Sequence, residues 1–448
     1  ALVFPAFGWQ SGMVTGVRPG QNPDLGSFQV IQVKLADNQI KELAANLPDH
    51  VLNQPPDFSD EDPALNYEAV VAEYRDNLLD SLEEDLQTDG DFVLIAGKWF
   101  PRALVVDINA GHLNLAEAIL DMSGGGPLPT SALLEQVGLG GDPNSKLVEF
   151  SLDLALQEDP RFDEVGPAGE VLWYLNRLEP ESVLQIPPYL RYTELEYDRS
   201  ILTPDMLSLE RKLDDELSPY SGKAPQVNEA QVTLTFPHWR SGTLPISATI
   251  RPLLPTAYQA PRVRFYLVDG ENGSKFPGWV VRQHRYVFGL AEWYHTRGVM
   301  PGSLVRLRRG KNPGEVIVSC DSQRGTREWV RTVLVGSDGG IVFALLKQVV
   351  TTSYDERMAI VIPDPEALEQ AWKLQQKERQ PFEKVVVNVV RELAKLNPQS
   401  HVHASELYAA LNVIRRCPPG PMLALLASRP WFIHVGDLHF RFDDSERA

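Results

Sequence analysis

Hydrophobic and polar positions alternate near the start of the chain. Val14-Thr15-Gly16-Val17, the Gly-, Pro- and Asn-rich stretch Arg18–Gly26 and the run Phe28-Gln29-Val30-Ile31-Gln32-Val33-Lys34-Leu35 read as strand, turn and strand. After Ala36-Asp37-Asn38 a shorter run, Gln39–Leu43, completes a hairpin, so residues 1–54 are expected to form a small SH3-like β-barrel. The period changes after the acidic stretch Asp57–Asp62, which Pro55, Pro56 and Pro63 flank. Within Tyr67–Leu86, Val70, Val71, Tyr74, Leu78, Leu79 and Leu82 recur at helical spacing opposite an acidic face, so residues 55–111 read as a linker and a helix.

From His112 the pattern is of short helices: Leu113–Met122, a break at Gly124-Gly125-Gly126-Pro127, then Thr130–Val137 and Ser145–Gln157. Asp159–Leu175 follows as strand, tight turn and strand, which gives residues 112–180 the outline of a winged helix. The outline recurs in residues 382–445. Phe382–Leu396, Ala404–Leu411 and Pro421–Ala427 supply three helices, and Arg429-Pro430-Trp431-Phe432 stands where Asp159-Pro160-Arg161-Phe162 stands in the first copy. Residues 181–225 read as an acidic linker and 351–381 as a linker helix.

Between the copies lie short strands at Gln231–Phe236, Val263–Asp269, Gly278–Arg282, Tyr286–Phe288, Leu304–Arg308 and Glu315–Cys320. Asp269-Gly270-Glu271-Asn272-Gly273 is a hairpin turn, and Ala291–Arg297 is a short helix closed by Gly298. Many short strands with one or two helices predict a barrel over residues 226–350. The fold class expected is therefore α+β multidomain: a small N-terminal β-barrel, two winged-helix units and a central β pseudobarrel.

Length agrees, since 448 residues exceed what one core usually serves. Two cysteines far apart, Cys320 and Cys417, give no disulfide framework and no thiolate metal cluster, and point to a reducing compartment. The start Ala1-Leu2-Val3-Phe4-Pro5 lacks a charged signal region, and the longest apolar runs, such as Ile341–Leu346 and Met422–Ala427, fall far short of the roughly 20 residues of a membrane span. A cytoplasmic protein is expected.

Charge changes the picture most. The net charge of −18 argues against nucleic acid until it is divided along the chain. Residues 1–225 carry 14 Lys and Arg against 39 Asp and Glu, residues 226–347 carry 16 against 8, and residues 348–448 carry 12 against 13. One basic module, net +8, stands in an acidic chain.

Both helical copies resemble the HARE-type winged helix, the family that includes the N-terminal domain of the delta subunit of Gram-positive RNA polymerases. The residues that carry this are the first helices, the entries Leu128-Pro129-Thr130-Ser131 and Val402-His403-Ala404-Ser405 to the second helices, and the aromatic wings. The resemblance implies protein or DNA contacts in transcription or chromatin. The basic module resembles the plant B-three pseudobarrel DNA-binding domain and the related effector domain of some restriction endonucleases. Leu244-Pro245, Phe265–Asp269, Gly278-Trp279, Tyr286–Tyr294 and Gly298–Ser303 carry it, with Gly302-Ser303 where the family has Gly-Asp and Gly289-Leu290 where it has Gly-Trp.

That resemblance implies two loops gripping the major groove of double-stranded DNA. By position these are His238-Trp239-Arg240-Ser241-Gly242-Thr243 and Arg282-Gln283-His284-Arg285. The chemistry suits the role: Arg pairs bidentately with guanine, Gln with adenine, and Ser or Thr holds a phosphate or base edge. Arg306, Arg308, Arg309 and Lys311 would extend the surface onto phosphates. Each has a plainer reading. Trp239 could close the barrel end, Arg306 and Arg308 share one sheet face that could simply be solvated, His284 could be an ordinary exposed polar residue, and the whole basic patch could dock on the chain's own acidic half. Of the helical copies, the second, with Arg415, Arg416 and Arg429, is the better DNA candidate.

No HExxH, Walker-type, GxGxxG or GxSxG motif occurs, and the histidines lack zinc spacing. Asp269, Glu271 and Lys275 are explained by their turn rather than by a metal nuclease site. The expectation is a DNA-binding protein that is not an enzyme and needs no cofactor or metal. The alternatives are an RNA-polymerase-associated factor acting through the acidic half, and an adaptor.

Overall fold

The computed structural model describes residues 2–4, 10–22, 26–35, 39–48, 67–139, 145–219, 227–312, 314–337, 339–378, 380–443 and 445. The expected linker Asp57–Asp62 with its prolines, the turn Ala36-Asp37-Asn38 and residues 220–226 lie outside the described residues. The chain is mixed α+β and divides into two compact units, Ala1–Asp89 and Gly90–Ala448.

In the first unit β1 (Leu2–Phe4), β2 (Gln10–Pro19), β3 (Gln29–Leu35) and β4 (Ile40–Ala45) form an antiparallel sheet in that order. Among the described residues β1 and β4 are its edges, so the ladder is open where a closed barrel was expected. Gly12 is required by close approach: a Cβ there would lie 2.4 Å from Val33, one of the few buried side chains of this sheet. Helix α1 (Tyr67–Thr88) follows, with Tyr74, Leu78 and Leu82 all about half exposed.

The second unit opens with a hairpin, β5 (Phe92–Ile95) and β6 (Lys98–Pro101), inside a stretch expected to be linker and helix. Val93 and Ile95 bury against Leu154, and Ala96 and Gly97 turn the chain at positive φ. Then come α2 (Ala110–Met122), β7 (Leu128–Pro129), α3 (Thr130–Val137), α4 (Ser145–Glu158), β8 (Phe162–Glu164) and β9 (Leu172–Leu175), with sheet order β7-β9-β8.

Residues 181–219 are ordered, against the expectation of a linker. They contain α5 (Glu181–Leu184) and α6 (Pro204–Leu213), and they bury Leu190, Leu202, Met206 and Leu209. Each such side chain contributes about 1.5–3 kcal/mol when fully withdrawn from water. That gain is what holds so acidic a segment in place.

Next are β10 (Glu229–Thr233), α7 (Phe236–Ser241), β11 (Thr243–Pro245), β12 (Arg262–Asp269), β13 (Lys275–Val281), β14 (Tyr286–Phe288), α8 (Ala291–Arg297), β15 (Leu304–Arg309) and β16 (Glu315–Cys320). They make a seven-stranded half-barrel in the order β10-β15-β16-β12-β13-β14-β11, antiparallel except where β12 meets β16. Its interior is filled by residues such as Val263, Phe265, Leu267, Val305, Leu307 and Val318. The basic stretch does not stay in one sheet. After Asp321 the chain leaves as a separate two-stranded ribbon, β17 (Ser322–Val335) and β18 (Ile341–Thr352).

Helix α9 (Pro365–Glu378) leads to α10 (Phe382–Ala394), β19 (Val402–His403), α11 (Ala404–Ile414), α12 (Pro419–Ser428), β20 (Phe432–Gly436) and β21 (His439–Phe442), with sheet order β19-β21-β20. This repeats the order of elements found in residues 110–175. Helix α10 forms despite five valines, residues with low helix propensity. Their spacing puts Val386, Val387, Val389, Val390 and Leu393 in the core, and burial outweighs propensity.

The first three-helix unit is fastened to the half-barrel. The Arg264 amide donates to Val165 O (2.8 Å), the Ala168 amide to Thr256 O (2.6 Å), and Tyr174 meets Trp279 edge-on at 5.2 Å. Arg262 pairs with Asp163 and, at 2.9 Å, with Glu179. Burial pushes the Glu179 carboxyl up to about 8 although Arg262 pulls it down, and burial likewise pushes Glu164 up to about 7.

Candidate nucleic-acid interface

The first expected loop is not a loop. Pro237 sits in the first turn of α7 and Gly242, at φ +62, ends it, so residues 236–241 are helical and Thr243 begins β11. The helix forms because Phe236 buries against the Tyr189 ring, edge-on at 5.5 Å. His238, 1% exposed, has Nδ1 2.9 Å from Thr243 Oγ1 and Nε2 3.2 Å from Glu216 Oε1.

The groove-gripping roles expected here are corrected by burial. Thr243 is fully buried, and the Trp239 indole donates to Val299 O at 2.7 Å between two cores. Arg240 is paired with Glu369 above the Tyr189 ring. The Ser241 hydroxyl is buried with no hydrogen-bond partner among the described residues. Segments 180–219 and α11 supply this cover, and nothing in residues 238–243 announces it.

The second expected loop is a surface turn. Arg282, Gln283 and Arg285 are exposed, while His284 is half-buried and stacked on Tyr286 at 6.4 Å, where burial lowers its pKa. The Arg285 backbone takes φ +54, and its carbonyl accepts from the Ile246 amide at 2.7 Å. The Arg282 guanidinium donates to Ala260 O and that of Arg285 to Glu216 O, both at 2.9 Å. These acceptors are carbonyls rather than carboxylates, so among the described residues neither positive charge has an acidic partner at this turn.

Of the β15 cations, Arg306 is neutralised by Asp321. Arg308 is exposed and stands opposite Glu229 of β10, Arg309 donates to Pro252 O at 2.7 Å, and Lys311 is exposed. Registers relate these groups. Val281 pairs with Arg262, Glu315 with Tyr266 and Arg309 with Val316, so the 282–285 turn and the end of β15 lie at the same end of the half-barrel. The α7 segment lies beyond the other end of the β11–β14 ladder, where Thr243 pairs with Phe288.

One connecting segment ties the two basic parts together. Residues 246–261 take hydrogen bonds from Arg282 at Ala260 and from Arg309 at Pro252, and they carry a further exposed cation, Arg251. Sequence reasoning missed Arg251; the only signal was a lone Arg-Pro step in a Pro-rich connection. Elsewhere in the basic stretch charge is spent internally: Arg297 pairs with Asp269 and Glu271, Lys275 with Glu315 and Arg262 with Asp163.

The second three-helix unit is corrected too. Arg416 is buried, with NH2 2.7 Å from both Asp215 Oδ1 and Glu216 Oε1 and with NH1 donating to Asp215 Oδ2 at 2.8 Å. Burial opposes both charges, yet the carboxylates raise the guanidinium pKa well above its usual value, and Arg416 with His238 holds Glu216 well below the carboxylate range. Arg429 pairs with Glu383 at 3.1 Å, and Arg415 lies over Phe382 with its NH1 on Gln380 O.

Among the described residues no three or more His, Cys, Asp or Glu side chains could hold a metal ion, and no helix is long and apolar enough to cross a membrane. No protein-family model, curated protein or solved structure matches the chain.

Proposed function

We propose that the chain binds double-stranded DNA through one end of its half-barrel, with Arg282, Gln283 and Arg285 at the groove and Arg251, Arg308, Arg309 and Lys311 on phosphates. The observation that carries this reading is the exposed turn whose two guanidiniums, among the described residues, meet carbonyls and no carboxylate, whereas Arg262, Arg297 and Arg306 are each neutralised. Uncompensated arginines at one edge of a basic module attract a polyanion locally although the rest of the chain is acidic. In this reading the seven-stranded sheet is the pseudobarrel, the two three-helix units are winged helices, and the first wing serves to anchor the barrel rather than to contact DNA.

Fluorescence anisotropy of the full chain on random duplex DNA over a salt series tests this. Affinity should fall steeply with salt, by about 0.9 in log–log slope per phosphate contacted, and R282E/R285E, which places two negative charges at the groove, should cost at least about tenfold in affinity. A flat, weak response indifferent to both arginines would sink the reading.

A second reading keeps support from α1, whose half-exposed Tyr74, Leu78 and Leu82 lie among Asp76, Asp80, Glu83, Glu84 and Asp85. An acidic helix with a half-exposed apolar stripe suits a basic protein surface such as that of RNA polymerase. Pull-down of purified polymerase by the parent chain but not by L78E/L82E would favour it.

A further inference from the structure

A cleft of about 1260 Å³ opens between residues 188–195, the tip of the β17–β18 ribbon, α9 and α10. It is distinct from the half-barrel end described above, and nothing so far assigns it a role. Its chemistry is one-sided. Arg191, Lys377 and Arg415 line it without an acidic partner among the described residues, whereas Glu392, the one acid in its wall, is already engaged by Lys395.

A more deeply buried cation borders the same space. Arg416 also lines the cleft, and although its two terminal nitrogens are taken by Asp215 and Glu216, its Nε is buried with no hydrogen-bond partner among the described residues. A buried N–H left unpaired is uncommon and is satisfied when a ligand brings an acceptor. The lining is also aromatic: Trp372, half-buried, packs against Tyr189 with ring centroids 4.4 Å apart.

Cations, an unpaired buried donor and an aromatic plane together select a ligand that carries acceptor oxygens, negative charge and a flat ring. We propose that this cleft binds nucleobase-bearing phosphates, with a base stacked on Trp372 and phosphates held by Arg191, Lys377 and Arg415. Two sources share that chemistry, a free nucleotide and a single strand of nucleic acid. Size favours the strand. The cleft exceeds the roughly 300–1,000 Å³ of ordinary small-ligand sites, and stacking planes beside cations are how single strands are held without sequence preference. The proposal does not depend on duplex binding by the 282–285 turn.

The test uses the full chain with fluorescein-labelled dodecathymidylate, read by anisotropy, with ATP, poly-glutamate and duplex DNA as competitors. The expected result is saturable binding of the oligonucleotide that weakens at least about tenfold in R191E/K377E, at two exposed positions, with an unchanged circular-dichroism spectrum as the check on folding. W372A should weaken it similarly and W372F should recover most of the loss, because a phenyl ring still stacks. ATP displacing the oligonucleotide at comparable concentration supports the site with a free nucleotide as its ligand, and failure of ATP to compete supports it with a strand.

The proposal is overturned if neither the oligonucleotide nor ATP binds, if R191E/K377E binds like the parent, or if poly-glutamate competes as well as the oligonucleotide. R282E/R285E separates the two sites: it should weaken duplex binding and change oligonucleotide binding less than about twofold. Loss of oligonucleotide binding in R282E/R285E with none in R191E/K377E also overturns the assignment.

Discussion

In the first three-helix unit the buried charge is Asp153, and its partners are two neutral donors of the same unit. Thr130 Oγ1 and Trp173 Nε1 donate to Asp153 Oδ1 at 2.5 and 2.9 Å, and burial pushes the carboxyl up to about 6. In the second unit the buried charge is Arg416, and its acidic partners come from the segment about 200 residues earlier. The same order of elements thus encloses a carboxylate that costs stability when ionised and a guanidinium that remains charged on borrowed acids. The first unit satisfies its buried carboxyl from within. The second depends on a stretch that sequence reading takes for a linker.

The contrast is broken most sharply at Arg416. R416A should lower unfolding free energy by about 3–5 kcal/mol, because it strands Asp215 and Glu216 in the core, and a urea denaturation midpoint reads it. Adding D215N and E216Q should restore part of the loss. A drop below about 1 kcal/mol would mean that water reaches the network.

Asp153 sharpens the other side. Its folded pKa of about 6 lies above the ordinary 3.8, so the neutral form is favoured in the fold. The stability this confers is complete below about pH 4 and is lost as pH rises through 6, about 3 kcal/mol in all. D153N should be flat across that window where the parent declines, as thermal melts from pH 4 to 6 would show. Glu164 and Glu179 continue the decline at higher pH, through about 7 and 8.

Smaller effects bound the comparison. T130V should cost about 1 kcal/mol, since the Trp173 indole keeps its bond to Asp153. R240A removes a partly exposed pair with Glu369 and should cost under about 1 kcal/mol while leaving the salt slope of duplex binding unchanged. A changed slope would return α7 to the DNA-facing surface.

What the sequence makes legible is what depends on local period. The spacing of the valines identifies α10, and the recurrence of three helices and a hairpin in two places is visible in the sequence itself. What it hides depends on partners far away in the chain. Residues 181–219 read as linker because Glu210, Asp215 and Glu216 look like solvent-facing acids, yet Glu210 is buried on Arg199 at 2.6 Å and the other two on Arg416. The β17–β18 ribbon escapes detection because Val330, Arg331, Thr332 and Val333 are buried consecutively, covered on both faces, so the alternation of a half-exposed strand is lost. For the candidate interface, the letters of 238–243 and 282–285 are equally suitable for DNA. Only tertiary cover separates them, and charge counting cannot see it.

The ion pair between Asp215 and Arg416 joins residues 201 apart. Contacts of such long sequence separation are reached only after the intervening chain has closed its loops, and folding slows as their share grows. The half-barrel and ribbon lie entirely between the two partners, so their prior folding shortens the loop this pair has to close. The second three-helix unit, although last in sequence and helical in itself, is therefore expected to mature late, and until then it exposes the apolar faces of α10 and α11 and leaves Arg416 charged and wet. A chain cut anywhere between 220 and 415 would separate the partners and halt maturation at that stage, whatever the quality of the local helices.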